Sequence, residues 1–125
     1  THCPEVCPTT LLRLGNLSRQ LGADAARLKI LLITVDPERD TPEQLALYLQ
    51  SFDPGVVGLT GSQEQVDAAL RTFNAYAKKV PVDGGYTMDH TANVYLMTEA
   101  GTFRTMIDYH EADSAALAKL RMLLR

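Results

Sequence analysis

Leu11, Leu14, Leu17 and Leu21 recur three and four residues apart, the spacing of one helix face. Pro8 suits a first helical turn and Gly22 suits a stop, so a helix is predicted from about Pro8 to Leu21. Lys29 to Val35 (KILLITV) is a short apolar run rich in β-branched residues, predicting a strand buried on both faces. The polar stretch Asp36 to Gln44 (DPERDTPEQ) leaves that strand and opens a second helix. Thr41 is its N-cap, Pro42 its first residue, and Gln44 is placed to close a capping box. Leu45, Leu49 and Phe52 form its apolar side before Asp53-Pro54-Gly55 ends it. Val56 to Thr60 (VVGLT) predicts a second strand. Ser62 and Gln65 then make a capping box for a third helix, with Val66, Ala69, Leu70, Phe73 and Ala77 facing the core. Lys78 and Lys79 suit its last turn and Pro81 its stop.

The rhythm then changes to period two. Asn93 to Thr98 and Thr102 to Ile107, joined by Glu99-Ala100-Gly101, predict an antiparallel hairpin. A last helix from about Asp113 buries Leu117, Leu120 and Leu124. Strands alternating with helices, followed by a hairpin and a helix, predict an α/β sandwich with a mixed sheet. No repeat or long linker divides the 125 residues, so a single domain spanning 1–125 is expected. A helix that directly follows a cysteine pair ordinarily follows a strand as well. Only Thr1 and His2 precede Cys3, so the chain is expected to be N-terminally truncated or incomplete.

Composition narrows the function classes. A formal net charge of −3 and a pI near 5.5 argue against nucleic acid as a partner, because its backbone selects basic surfaces. No apolar run approaches the roughly 20 residues of a membrane span, and the polar, cysteine-bearing start is not a signal peptide.

The candidate chemistry begins with the N-terminal cysteines. Cys3 and Cys7 are its only cysteines, each followed by proline, and four positions apart they fall on one side of a turn. A helix N-terminus beside Cys7 favours thiolate over thiol. The thiolate is both nucleophile and metal ligand, so a disulfide, half of a metal site, and two small buried residues are all open readings. Three intervening residues do not match the two of thioredoxin-type redox pairs. A soft metal would want imidazole as a third donor. His90 is predicted in a loop just before the hairpin, where Asp89 could orient its ring or add a weak oxygen ligand. His2 neighbours Cys3, but adjacent side chains in extended chain point apart, and His110 reads as solvent-facing. The turn holding Asp36, Arg39 and Asp40 leaves the carboxyl end of its strand, an edge where ligands gather in α/β sheets. The simpler reading is a helix start with an Arg–Asp pair.

Four motifs occur together in this order: CPEVCP at Cys3 to Pro8, VDPERDTP at Val35 to Pro42, LTGS at Leu59 to Ser62, and DHT at Asp89 to Thr91. Over nearly the whole chain the sequence resembles the Sco/SenC family, thioredoxin-fold proteins that help assemble the copper centre of cytochrome c oxidase. The resemblance implies that Cys3, Cys7 and His90 are copper ligands and that Asp89 supports them. It implies a central strand leading into the cysteine loop, preceded by a hairpin, and this sequence holds neither. It also implies a copper cofactor, Cu(I) or Cu(II), with zinc as the lesser alternative. The implied partner is a cytochrome c oxidase copper-centre subunit or another copper chaperone. The implied location is the bacterial periplasm or the mitochondrial intermembrane space, behind an N-terminal membrane tether. Copper chaperone is therefore the leading expectation. A thiol–disulfide oxidoreductase using Cys3 and Cys7, one able to reduce the copper-site cysteines of its partner, is the alternative, and a redox or copper sensor is a third.

Overall fold

A computed structural model describes residues 6–53, 55–90 and 93–125, with the backbone alone at residues 6, 7, 87 and 89. The elements are α1 (Val6–Leu21), a 3-10 segment (Gly22–Arg27), β1 (Ile30–Ile33), α2 (Pro42–Leu49), β2 (Val56–Leu59), α3 (Gln63–Thr72), β3 (Ala77–Val82), β4 (Gly85–His90), β5 (Val94–Met97), β6 (Phe103–Ile107) and α4 (Asp113–Leu123). Among the described residues three two-stranded ladders form: β1 with β2 parallel, β3 with β4 antiparallel, and β5 with β6 antiparallel.

The leucine face of α1 does what its spacing predicts. Leu17 and Leu21 pack with Leu96 of β5, Ile107 of β6, and Ala116, Leu120 and Leu124 at the C-terminal end, forming the main core. Arg13 fastens the outside of this joint. Its Nε donates to Asp113 Oδ1 at 2.7 Å, and one Nη donates to the Asp108 carbonyl at 3.2 Å while the other reaches the Glu111 carbonyl. Below it, Lys119 Nζ donates to Glu111 Oε1 at 2.8 Å. That bond is the main reason the Glu111 carboxyl lies below its ordinary range. A lowered folded value stabilises above the unfolded carboxylate pKa, about 4.3, and the gain is lost as pH falls through the folded value. Glu111→Gln should therefore be less stable than wild type at pH 7, with the gap closing in urea unfolding as pH falls below about 4.

The two predicted N-caps form. Thr41 Oγ1 accepts from the Gln44 N–H, and Ser62 with Gln65 makes a complete capping box. The parallel pair packs on α2, and the approach is close at Gly58, where a Cβ would stand 2.9 Å from Leu49 Cδ1. The expectation that β1 is buried on both faces is corrected. Leu31 and Ile33 are 55% and 37% exposed, and their register partners Val57 and Leu59 are exposed beside them. The physical reason is an open cleft of about 1060 Å³ that β1 and β5 both line, so no strand covers this side of β1 among the described residues.

The region after α3 also departs from expectation. The helix ends at Thr72, and Asn74 takes a positive φ of 52°. Ala77, Lys78 and Lys79 are not helical; with Pro81 they form β3, paired with β4 around a two-residue turn, Asp83-Gly84. Gly84 occupies φ +82°, a conformation costly to residues with a Cβ. Closure at Val82 and Gly85 makes the next pair, Pro81 and Tyr86, a non-hydrogen-bonded one by antiparallel alternation. Pro81 thus costs the ladder no bond, and the Tyr86 carbonyl points outward.

Candidate metal centre

The turn after β1 is built from buried polar groups. Thr34 Oγ1 donates to Asp40 Oδ2 at 2.6 Å and accepts from the Asp36 N–H at 2.9 Å. The Asp40 N–H donates to the Asp36 carbonyl at 2.9 Å. Arg39 Nε pairs with Asp36 Oδ2 at 2.5 Å, so the helix-start reading with an Arg–Asp pair holds. Sequence reasoning missed the second task of these residues, because it had no hairpin for them to hold.

Arg39 Nη1 donates to the outward carbonyl of Tyr86 at 2.7 Å, and its guanidinium lies 3.8 Å from the Tyr86 ring centroid. Tyr86 Oη donates to Asp36 Oδ1 at 2.8 Å. Burial, and then the hydrogen bond and charge of Asp36, push the Tyr86 phenol up to about 12, so it stays a donor across the physiological range. Lys79 Nζ donates to Glu38 Oε2 at 2.8 Å, closing a second tie between turn and hairpin. That bond, followed by the Lys79 charge, holds the Glu38 carboxyl below its usual range. The Asp83-Gly84 dipeptide between short β-prone runs was the signal that could have disclosed the hairpin. Pro81 masked it.

His90 is the last residue of β4, paired with Ala77, and not part of a loop. It is half-buried and lines the open cleft together with Arg39, Asp40 and Met88. Thr10 and Leu11 bring the N-terminal part of α1 to the same cleft. Cys7 is the second residue of that helix, inside its first turn and not ahead of it, and Pro8 is the third. The sixteen-residue helix aligns its peptide dipoles towards that turn. Cys3 lies outside the described residues, as does His2, and the side chains of Cys7 and Asp89 do too. Among the described residues no three His, Cys, Asp or Glu side chains gather as a metal site. His110 is exposed, as expected, with its ring 5.0 Å from that of Tyr109. No described helix is long and apolar enough to cross a membrane.

The comparisons with known proteins agree with one another. The family model described as SCO1/SenC matches residues 1–125. "Protein SCO2 homolog, mitochondrial" of Danio rerio is 43% identical over 114 residues, covering 88% of this chain and 40% of its own length. The chain thus spans about two-fifths of that relative. The structure of Bradyrhizobium japonicum ScoI with copper bound superposes with a TM-score of 0.87 at 43% identity, covering 98% of this chain and 78% of that one. Arabidopsis thaliana ScoI with copper bound gives a TM-score of 0.86 at 29% identity, covering 97% and 79%. The α/β fold is therefore the thioredoxin-like fold of these structures, as the resemblance implied.

Proposed function

The chain belongs to the SCO1/SenC family, and from that premise we propose that it binds one copper ion through Cys3, Cys7 and His90 and acts as a copper chaperone. The observation that supports this most is the cleft shared by His90 and the N-terminal part of α1, the helix that contains Cys7. Copper-bound relatives of the same fold add to it. Two thiolates and an imidazole form a soft donor set suited to three-coordinate Cu(I), and one added oxygen, from Asp89 or water, suits Cu(II). An ion held by few ligands at a cleft rim passes to a partner by stepwise ligand exchange. The recipient in this reading is a cytochrome c oxidase copper-centre subunit or another copper chaperone. The setting is the bacterial periplasm or the mitochondrial intermembrane space, where a membrane tether would keep the protein beside the oxidase.

The second reading, thiol–disulfide exchange, draws on Cys7 in the first turn of a long helix, where a thiolate is favoured. The two readings separate at His90. Reduced protein should take up one equivalent of Cu(I), and His90→Ala should weaken retention by about 100-fold or more, above the 10–100-fold typical of groups that only support a ligand. The same variant should retain exchange activity on a disulfide substrate if the cysteines also work that way. Wild type that takes up no copper at one equivalent would refute the chaperone reading.

A further inference from the structure

Tyr86, Met88 and His90 alternate along β4 and so share one face of the strand. The β3–β4 hairpin lies beside the turn between β1 and α2 and is tied to it by side-chain bonds. Beyond its own ladder no other described element packs extensively against it, and an isolated two-stranded hairpin is marginally stable in water. What fastens it is the turn between β1 and α2. Arg39 holds the Tyr86 carbonyl and covers its ring, Asp36 accepts from its hydroxyl, and Glu38 accepts from Lys79 on the paired strand. These attachments gather at one end of β4. His90 stands at the other, about 13 Å further along an extended strand of roughly 3.3 Å per residue.

We propose that Arg39 and Tyr86 are positioning residues for the His90 imidazole: by clamping β4 to the β1–α2 turn they set where that donor stands at the rim of the cleft. This rests on the copper-binding reading and adds to it the device that places the third ligand. Asp36 bonds both clamp residues and fixes their relative geometry. Arg39 in turn belongs to the turn in which Thr34 and Asp40 are buried and hydrogen-bonded to each other. The clamp acts on β4, the strand that carries His90, whereas Cys3 and Cys7 belong to the N-terminal stretch of the chain.

A double-mutant cycle on the full, reduced chain tests this, with Cu(I) affinity read by competition with bicinchoninate. Arg39→Ala should weaken Cu(I) binding by about 10–100-fold, the range for groups that orient a ligand. Tyr86→Phe, which keeps the ring and the carbonyl but removes the bond to Asp36, should show a smaller loss in the same direction. In a His90→Ala background the same substitutions should change affinity by less than about twofold, the scatter expected of independent sites. A merely structural role would instead weaken binding equally in both backgrounds, and that result overturns the proposal. So does wild-type affinity in both Arg39→Ala and Tyr86→Phe while His90→Ala alone is weakened. An unchanged affinity in His90→Ala overturns the copper reading of His90 itself, and the positioning role with it. Circular dichroism identifies any variant that fails to fold; if Arg39→Ala does, the Tyr86→Phe cycle decides by the same criteria.

Discussion

Leu17→Ala should lower the unfolding free energy by about 2–5 kcal/mol, the largest single loss expected on this chain. Leu17 is 0% exposed and lies where α1 meets β5, β6 and α4, among Leu21, Leu96, Ile107, Ala116, Leu120 and Leu124. Removing its isobutyl group loses the transfer free energy and leaves a void that these neighbours, on four separate elements, fill only in part. Leu12, on the same helix but 55% exposed, is the control, and Leu12→Ala should stay within about 0.5 kcal/mol of wild type. Urea unfolding of both variants measures the difference, with an unchanged slope showing that the midpoint shift is stability. A Leu17→Ala loss as small as that of Leu12→Ala would mean that the main core is not organised around α1.

The second large effect is expected at Asp40. Its side chain is buried at 2% exposure and accepts from the Thr34 hydroxyl, itself buried. Asp40→Ala removes that acceptor inside a low-dielectric turn, at a cost of about 1–3 kcal/mol for the stranded hydroxyl. Asp40→Asn keeps an oxygen for Thr34 and should recover part of the loss. Thermal unfolding of the three proteins side by side measures this, and an Asn variant no better than the Ala variant would show that charge, not the acceptor, is what the turn requires. Because Arg39 precedes Asp40 and reaches β4 from the same turn, Asp40→Ala should also loosen the hold on Tyr86.

Most elements were legible because their signals are local. The leucines of α1, the caps at Thr41 and Ser62, the hairpin of β5 and β6, and the last helix each depend on residues within a few positions of one another. The β3–β4 hairpin was not. Lys78 and Lys79 near Pro81 read equally well as a helix end, and nothing local says that Pro81 falls at a non-hydrogen-bonded position of the ladder. The burial of β1 was overread for a related reason. A run such as ILLI states that a strand is apolar and leaves open which of its faces a neighbour covers.

The candidate site divides in the same way. From its motifs alone the chain disclosed its family, because residue type and order survive in the sequence, and that resemblance implies three donors, Cys3, Cys7 and His90. Tertiary structure decided that His90 ends a strand and borders the cleft that α1 reaches. It also decided that a turn some fifty residues earlier than Tyr86 clamps that strand through bonds of 2.7 and 2.8 Å. Hydrogen bonds and ring contacts over such separations depend on where folding brings two backbones together, and no spacing along the chain encodes that.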